Sequence, residues 1–571
     1  MAWRDVMCGE LRAHDAGRSL TVAGWADTRR DHGGLVFVDL RDHTGKLQLV
    51  INPERSPDAA AVAHEIRNEF VLQATGELAA RAPEAINPDL PTGQIELQVD
   101  ELRILSRSAP LPFQLDEENV DETLRLRYRW LDLRTERMQR NLRLNHTAIA
   151  AIRRVMDERG FVDVWTPSMT RGTPEGARDF LLPVRLQPGR FFALAQSPQL
   201  FKQLCMVGGI DRYYQIATCW RDEDLRADRQ FEFRQLDLEM AFVEREDVLD
   251  VLEACVVGAF EAAGAEPPQR PFPRLSYGEA MLRYGSDKPD LRFEMEIQDA
   301  TGVTRDSEFG VFKNAACVRY LVVPRTFSRS EQTRLEEIAK EWGAKGLANL
   351  TQISKFLSER ELDAFGVPDG STALFAADAE DVVARVLGLL RVHLARELGL
   401  VDTSLDAFHW ILDFPLFEHS EEFGGWTFMH HPFTASVAGE EGRIEADPAN
   451  VRGQHYDLIW NGWELGSGSI RIHEAEVQQA VFRVMGMDEE EQRDKFGFLL
   501  DALQMGAPPH GGFAMGIDRF IAQLAREPDI RQVTAFPKIA SGSDPLTGAP
   551  TPYPDSALRE LGIRLTDPQP G

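Results

Sequence analysis

The sequence predicts an α/β protein of several domains: a small N-terminal β-barrel, a larger body in which strands and helices alternate, and an inserted α+β region. Three observations predict this fold class. The chain has 571 residues, roughly four times a common domain length of about 150. Residues 1–105 contain short segments in which polar and apolar residues alternate, as in β-strands. Residues 160–279 alternate such segments with helical patterns, and residues 290–405 differ in texture again.

The first hundred residues contain five predicted strands joined by turns rich in Gly and Asp. A helical stretch, AAVAHEIRNEF, lies between the third and fourth strands. This order is typical of the OB-fold, a small barrel that binds oligonucleotides, although another small β-barrel would give a similar pattern. The following segment, SRSAPLPFQLDEENVDE, is rich in Pro and acids and predicts a linker.

The charge balance argues against a protein that binds nucleic acid by bulk charge, and so against a general DNA binder. The chain has 63 Lys and Arg against 91 Asp and Glu, a formal net charge of −28, whereas such binding depends on cation–phosphate contacts. Residues 124–154 reverse this balance locally, with nine Arg against two acids. This stretch predicts an amphipathic helix with a solvated basic face, or else a local contact surface for a polyanion.

The cysteines and the N-terminus favour a reducing compartment. Five scattered cysteines show no zinc-ligand spacing, and MAWRDVMCGELRAHD contains no apolar signal core. We find no run of about 18 apolar residues, so no membrane span is predicted. We therefore expect a cytoplasmic protein that does not associate with membranes.

Four segments place polar and charged residues where a core pattern would have apolar ones: residues 191–204, 213–242, 456–474 and 507–524. The second predicts a hairpin with a long charged loop. Its last strand places Phe233, Gln235, Asp237 and Glu239 on one face. Because unpaired buried carboxylates are costly, this face is predicted to line a polar cavity or ligand site; a solvated edge strand is the alternative.

The last two segments suit a metal ion and phosphate. Asp457, Glu464 and Arg471 are spaced seven apart, so a bend or bulge supplied by GSGS would be needed to align them. Two acids near an arginine suit Mg²⁺ and phosphate oxygens. PPHGGFAMGIDR predicts a Gly-rich turn and a helix that opens near Gly516, a potential anion site. The usual phosphate-loop and dinucleotide fingerprints are absent from the sequence.

Together these segments resemble the class II aminoacyl-tRNA synthetases. FVDVWTPSM, WRDEDLRADRQFEFRQLDLE and GGFAMGIDR are similar to the three class motifs, in order. TPEGARDF, QSPQLFKQL and MHHPFT resemble aspartyl-tRNA synthetases. The N-terminal OB-fold, the insertion between the second and third motifs and the C-terminal extension resemble the bacterial type. The resemblance covers essentially the whole chain and implies a homodimer built through the first motif. It implies an OB-fold anticodon-binding domain (1–105), a hinge (106–135), a class II catalytic domain with an antiparallel sheet (136–287 and 409–543), an inserted GAD-type α+β domain (288–408) and a C-terminal extension (544–571).

The resemblance implies that ATP and Mg²⁺ are used to convert L-aspartate to aspartyl-adenylate, which then charges tRNA-Asp. The implied catalytic residues are Arg221, Arg519 and Glu464. The implied aspartate-binding residues are Glu175, Gln199, Lys202, Arg221, Asp237, His430 and Arg471. The implied ATP-binding residues are Arg221, Asp222, Glu223, Gln230, Phe233, Glu464, Gly516, Ile517, Asp518 and Arg519. The implied metal ligands are Asp457 and Glu464.

On the barrel, the resemblance implies that Phe37 stacks on an anticodon base while Gln48 and Arg29 make polar contacts; Phe37 in the barrel core is the alternative. His32 resembles family members that charge both tRNA-Asp and tRNA-Asn, and Glu84 marks a second position of interest. Charging of tRNA-Asn is therefore a hypothesis. The sequence departs from the family pattern at Arg234, Phe231, Trp220 and Ser467. Alternative readings are an asparaginyl- or lysyl-tRNA synthetase, a catalytically silent tRNA-binding paralogue, and an adenylate-forming amide synthetase.

Overall fold

The computed structural model describes residues 3–117, 119–172, 177–420 and 424–566. The chain divides into two compact units. One contains residues 1–140 and 544–547, and the other contains residues 141–543 and 548–571. The finer domain boundaries implied by the sequence remain a prediction.

The first unit contains a closed five-stranded barrel with the strand order β1-β2-β3-β5-β4. Its strands are β1 (Ser19–His32), β2 (Leu35–Asp42), β3 (Gly45–Ile51), β4 (Val71–Ala80) and β5 (Ile95–Ser106), and helix α1 (Pro57–Ala63) follows β3. The OB-fold prediction is therefore confirmed. Along β2, Val36 and Val38 are buried while Phe37 between them points to the outer face, so Phe37 is not part of the barrel core.

The basic stretch is helical. Its elements are α2 (Glu122–Arg127), α3 (Arg129–Asp132) and α4 (Glu136–Glu158). Helix α4 is amphipathic, because Ala148, Ile152 and Met156 enter a hydrophobic core while Arg143 and Arg154 are exposed. This confirms the interpretation of a helix with a solvated basic face.

The next part of the chain alternates strands and helices up to residue 284. Its elements are β6 (Val162–Asp163), β7 (Met169–Thr170), β8 (Leu181–Pro183), β9 (Phe191–Leu194), α5 (Gln199–Val207), β10 (Arg212–Trp220), β11 (Glu232–Ala241), α6 (Arg245–Ala262), β12 (Arg274–Ser276) and α7 (Tyr277–Tyr284). Strands β10 and β11 form the predicted hairpin with a long charged loop.

The inserted region, residues 290–405, forms a sheet of its own, with the strand order β13-β14-β16-β15. Its elements are β13 (Ile297–Asp299), α8 (Thr301–Thr304), α9 (Gly310–Lys313), β14 (Cys317–Val323), α10 (Arg329–Glu341), β15 (Ala348–Asn349), α11 (Leu350–Ile353), α12 (Glu359–Phe365), β16 (Thr372–Asp378) and α13 (Glu380–Glu397). Two hydrophobic clusters draw on this sheet, one containing Leu321 and Leu374 and the other Tyr320 and Phe375.

The remaining elements complete the large sheet. They are β17 (Phe408–Leu412), β18 (Phe417–Ser420), β19 (Gly425–Phe428), β20 (His455–Trp460), β21 (Trp463–Ile470), α14 (Ala475–Val484), α15 (Glu489–Leu503), β22 (His510–Gly516), α16 (Ile517–Leu524) and α17 (Asp555–Glu560). The sheet order is β12-β17-β20-β21-β22-β11-β10-β6. Neighbours are antiparallel except at the two edges, where β12–β17 and β6–β10 are parallel. This is the predicted antiparallel catalytic sheet.

One face of the large sheet carries the main core. Leu236 and Leu238 of β11 and Phe513 and Met515 of β22 are fully buried among apolar residues of α4, α6 and α16. Since side chains alternate along a strand, the intervening residues point to the opposite face. That face carries the polar residues considered below.

One local prediction is wrong. The Gly-rich segment before Gly516 is a central strand, β22, rather than a turn, although helix α16 does begin directly after it with Gly516 as its N-cap. Among the described residues, no helix is long and apolar enough to cross a membrane. The cytoplasmic location stays a prediction.

Candidate active site

The polar face of the large sheet opens on a cavity of about 260 Å³. Phe233, Gln235 and Asp237 of β11 line it, which confirms the predicted polar cavity. The opposing residues on β22 are small, because Asp237 pairs with Ala514 and Glu239 pairs with Gly512. A Cβ at Gly512 would lie 1.9 Å from Glu239 Oε2. Glycine in this central strand therefore makes room for a buried carboxylate.

A bulge aligns the third polar segment with this face. Asp457 pairs with Ser467 and Ile459 pairs with Glu464, with the register shift between Leu458 and Ile459. The bulge thus brings Glu464 to the face that carries Asp457. The GSGS segment, which was predicted to supply the bulge, does not contain it, because Gly466 to Ser469 pair regularly with β20. The bulge lies immediately before this segment.

Four charged residues at the closed end of the cavity form what we call the buried ion cluster: Lys202, Asp237, Glu239 and Arg471. Each is at most 1% exposed. Lys202 Nζ lies 3.0 Å from Asp237 Oδ1 and 3.2 Å from Glu239 Oε2. Arg471 donates to both oxygens of Glu239, at 2.9 and 3.2 Å. A bidentate pair of this kind holds the guanidinium in one orientation.

The two carboxylates of the buried ion cluster are electrostatically different. Burial raises the pKa of Asp237 to about 6, despite the opposing effect of Lys202. Burial also acts on Glu239, but Arg471 and Lys202 outweigh it and hold its pKa below the ordinary value. Apart from its ion pair with Lys202, Asp237 accepts no hydrogen bond from the described residues. Asp237 is therefore the carboxylate with acceptor capacity left for a ligand.

Two histidines that are adjacent in the chain, His430 and His431, line the cavity. His431 Nε2 accepts from Arg471 Nη1 at 2.6 Å, and burial together with the neighbouring Arg471 holds its pKa well below the ordinary value. His430 lines the cavity, and its Nε2 is buried without a hydrogen-bond partner in the described part of the chain. His431 thus orients Arg471, whereas His430 retains a free ring nitrogen.

Asp457 and Glu464 form an acidic pair. Asp457 Oδ1 accepts from Ser467 Oγ at 2.6 Å and lies 2.7 Å from His455 Nε2. Burial raises the pKa of Asp457 to about 6. Burial and the charge of Asp457 raise the pKa of Glu464. A divalent cation would remove this repulsion, and carboxylate oxygens are suitable Mg²⁺ ligands, so the donor set fits the ion.

Two arginines at the open end, Arg221 and Arg519, form the outer arginine pair. The Arg221 guanidinium lies over the Phe233 ring at 5.1 Å, and its Nε is buried without a partner in the described residues. Arg519 Nη2 pairs with Asp228 Oδ2 at 3.2 Å, and Arg519 Nη1 donates to the Glu464 carbonyl oxygen at 3.1 Å. Asp228 belongs to the loop between β10 and β11, so the ion pair between Arg519 and Asp228 joins this loop to helix α16.

The structure brings most of the sequence-predicted residues to the cavity, but not all of them. Those that line it are Gln199, Lys202, Arg221, Glu223, Gln230, Phe233, Asp237, His430, Glu464, Arg471, Gly516, Asp518 and Arg519. Asp222 and Ile517 are not among the lining residues, and Ile517 is fully buried in the core. Asp457 lies behind the lining. Glu175 lies outside the described residues.

Two lining residues are held by other protein groups. Both functional atoms of the Gln230 amide pair with the Lys538 backbone, at 3.1 and 2.9 Å. Asp518 accepts from the backbone and guanidinium of Arg234, at 3.0 and 2.5 Å. These contacts suit a supporting role in the cavity wall.

Sequence reasoning missed several residues of the site. The sequence pattern places Glu239 on the correct face of β11 but assigns it no role. Alternation along β11 puts it beside Asp237, and this could have indicated that it belongs to the site. His455 shares a strand face with Asp457 two residues away, which parity could also have indicated. No local pattern points to the pairing of Asp228 with Arg519.

The barrel separates its predicted contact residues. Phe37 pairs with Arg30, and Gln48 pairs with Asp39, all on the outer face. Arg29 pairs with the inward-facing Val38, and its Nε donates to the Ala63 carbonyl oxygen at 2.9 Å. Arg30 is therefore the arginine that shares a face with Phe37. His32 and Glu84 are both exposed.

Comparisons with known proteins show which proteins this chain resembles over nearly its whole length. The family model for class II tRNA synthetases (D, K and N) matches residues 121–540, and a model for the OB-fold nucleic acid binding domain matches residues 20–105. Aspartate–tRNA ligase of Geobacillus kaustophilus (strain HTA426) is 46% identical over 99% of both chains. Aspartate–tRNA(Asp/Asn) ligase of Mycolicibacterium smegmatis (strain ATCC 700084 / mc(2)155) is 48% identical, over 97% of this chain and 96% of that protein.

A solved structure supports the fold. Asparaginyl-tRNA synthetase from Pyrococcus horikoshii complexed with asparaginyl-adenylate has a TM-score of 0.61 and 18% identity, and the match covers 93% of this chain and 97% of that one.

Proposed function

Because this chain belongs to the aspartate–tRNA ligase family of class II synthetases, we propose that the cavity on its large sheet is where it activates aspartate with ATP. The enzyme is an ATP-dependent aspartate–tRNA ligase. The observation that carries the assignment of the site is the buried ion cluster, which offers two fixed cations and one carboxylate with acceptor capacity at the closed end of the cavity.

Aspartate binds with its side-chain carboxylate toward Lys202 and Arg471 and its ammonium toward Asp237 and Gln199. Glu239 already accepts from Arg471, so the guanidinium orientation is set before the substrate arrives. His430 supplies a further polar contact through its unpartnered Nε2. Asparagine lacks the negative charge that Lys202 and Arg471 would attract in the aspartate side chain, which disfavours it. This argument favours aspartate over asparagine and lysine, the substrates of the alternative synthetases considered above.

ATP occupies the open end. Adenine stacks on Phe233, and Arg221, which lies over that ring in this structure, turns to the α-phosphate and the reacting carboxylate. Arg519 releases Asp228 and binds the γ-phosphate in its place. Arginine suits this work because its planar fork can contact two phosphate oxygens at once. Stabilisation of the charge in displacement at phosphorus is the main contribution expected of such groups.

Asp457 and Glu464 would hold Mg²⁺, with Glu464 facing the cavity and Asp457 behind it. When bound, the ion neutralises negative charge on the polyphosphate. In the protein itself, Ser467 and His455 fix one oxygen of Asp457, while the Glu464 carboxylate accepts no hydrogen bond from the described residues. This division leaves Glu464 as the more available ligand.

The barrel binds the anticodon through its outer face. Phe37 stacks on a base there, and Gln48 and Arg30 make polar contacts beside it, with Arg30 taking the place first assigned to Arg29. Such stacking is worth about 1–3 kcal/mol per base. His32, at the end of β1, supports charging of both tRNA-Asp and tRNA-Asn, in line with the Asp/Asn names of several relatives. Aspartylation of purified tRNA-Asn by the enzyme tests this, and its absence would refute dual charging.

The chain also forms a homodimer. Val162, Trp165 and Met169 of the first motif are 54%, 85% and 56% exposed. A cluster of large apolar side chains on the surface marks an interaction site. Sedimentation velocity at micromolar concentration should give twice the chain mass, and Trp165→Glu should shift the enzyme toward the monomer.

Amino-acid-dependent ATP–pyrophosphate exchange tests the proposed site. We expect aspartate to support exchange and asparagine and lysine not to do so. Arg221→Ala should reduce exchange by about 100-fold or more while tRNA-Asp binding, measured by filter retention, changes little. Retained exchange in this variant would remove Arg221 from its assigned role, and exchange with asparagine alone would overturn the substrate assignment.

A further inference from the structure

A stacked pair of histidines lies beside Asp457. The rings of His430 and His455 are nearly parallel, with centroids 3.4 Å apart and planes 8° apart. The fully buried Phe414 ring meets both of them edge-on, at 4.7 and 4.8 Å. Both histidines line the cavity. His455 begins strand β20, two residues before Asp457.

His455 also contacts the acidic pair. Its Nε2 lies 2.7 Å from Asp457 Oδ1, and because a carboxylate can only accept, this nitrogen carries the proton and donates. Burial lowers the pKa of both rings below the ordinary value.

The pair is not arranged as a metal centre. His430, His455 and Asp457 can each place one ligand atom within 4.8 Å of the others. However, imidazole binds an ion in its ring plane at about 2.0–2.1 Å. Two parallel rings 3.4 Å apart cannot both direct an in-plane lone pair at one ion. The same stacking does restrict how each ring can turn.

We propose that His455 is a positioning residue that couples aspartate binding to metal binding, because it holds the His430 ring by stacking and holds Asp457 by a hydrogen bond. This inference rests on the proposed function, in which His430 contacts aspartate and Asp457 supports the metal ion. Rotation of either ring would disturb the other, since Phe414 closes one side of the pair. The two sites are thus coupled because both depend on His455, each through its own contact.

Three substitutions separate the two contacts. His455→Phe keeps a ring against His430 but removes the donor, whereas His455→Gln keeps a donor for Asp457 but removes the ring. His455→Ala removes both. Aspartate affinity is measured by calorimetry on the nucleotide-free enzyme. Metal affinity is measured by electron paramagnetic resonance, with Mn²⁺ titrated into enzyme that holds a non-hydrolysable ATP analogue.

We expect His455→Gln to weaken aspartate binding by about 3- to 10-fold, which is the size of one lost ring contact. The same variant should leave the Mn²⁺ affinity within about twofold of wild type. His455→Phe should give the reverse pattern, from one lost hydrogen bond. His455→Ala should show both losses. The pair of opposite patterns is a result that a merely structural role would not produce.

His409→Ala is the matched control. His409 is a fully buried histidine on the neighbouring strand β17, is not among the cavity-lining residues, and has no hydrogen-bond partner in the described residues. It should lower the melting temperature without changing either affinity. The coupling is overturned if His455→Ala behaves like this control. It is also overturned if wild-type enzyme binds Zn²⁺ tightly and His455→Ala does not, since the cluster would then be a metal site.

His430→Ala distinguishes a failure of this inference from a failure of the proposed function. If His430→Ala leaves aspartate affinity unchanged, the assigned role of His430 falls and the coupling falls with it. If His430→Ala weakens aspartate binding but His455→Ala does not, only the coupling is refuted. In the double variant, the loss of aspartate affinity should be smaller than the sum of the two single losses, because the residues act through one contact.

Discussion

The two ends of the cavity hold their charged side chains in different ways. In the buried ion cluster, Lys202 and Arg471 are each 1% exposed and bound to carboxylates that are equally buried. In the outer arginine pair, the Arg519 side chain is 25% exposed and its partner Asp228 is 36% exposed. The closed end is therefore preorganised, while the partly exposed ion pair at the open end can be displaced by a ligand more easily.

The proposed function accounts for this difference. In that proposal, the closed end distinguishes a charged side chain from a neutral one of the same shape, which requires desolvated and fixed groups. The open end, in the same proposal, binds ATP, releases pyrophosphate and admits the end of a tRNA. Ion pairs near the surface are worth only about 0–1 kcal/mol, so they exchange readily.

The largest expected difference between the two ends is in stability. Arg471→Met leaves Glu239 buried with one cation fewer and should lower the free energy of unfolding by about 3–5 kcal/mol. Arg519→Met, the same change at the open end, should lower it by less than about 1 kcal/mol. Both should abolish aspartate-dependent exchange. Urea denaturation followed by circular dichroism measures the stabilities, and equal losses would contradict the distinction between the ends.

A pH effect should be specific to the closed end. The pKa of Asp237 is raised to about 6 in the folded protein, so its carboxylate gains a proton as the pH falls through 6 and can no longer attract the substrate ammonium as an anion. Aspartate should bind about tenfold more weakly at pH 5 than at pH 7, as measured by calorimetry without nucleotide. Asp237→Asn should bind weakly at both pH values. A wild-type affinity that stays constant over this range would refute the role of Asp237.

The smallest expected effect is at the open end. Asp228→Asn removes the carboxylate that competes with phosphate for Arg519, so the enzyme should bind ATP about 2- to 5-fold more tightly, the scale of one exposed ion pair. Equilibrium dialysis with labelled ATP measures this. Asp224→Asn makes the same charge change in the same loop at an exposed residue that does not line the cavity, and it should have no such effect. Equal tightening in both variants would indicate a general charge effect instead.

The strand pattern alone predicted much of the fold and one wall of the site. Alternation along 232–241 placed Asp237 and Glu239 on one face, because side-chain direction in a strand is a local property. The glycines of residues 510–516 led to the wrong prediction of a turn, because glycine-rich sequences are typical of turns. Gly512 instead lies in a central strand, where the absence of a side chain makes room for Glu239. The resemblance implied Arg29 as a contact residue of the barrel, whereas it is the next residue, Arg30, that shares the outer face with Phe37.

By itself, the sequence determined the family, the order of the elements and most of the residues that line the cavity, since these depend on motifs and on periodicity along the chain. Only the tertiary structure decided how the charges are paired. Glu239 meets Arg471 across 232 residues, Asp228 meets Arg519 across 291, and the bulge before Gly466 turns Glu464 toward the face of Asp457. Such pairings, and the burial that moves the pKa of Asp237, depend on distances between strands that no local pattern encodes.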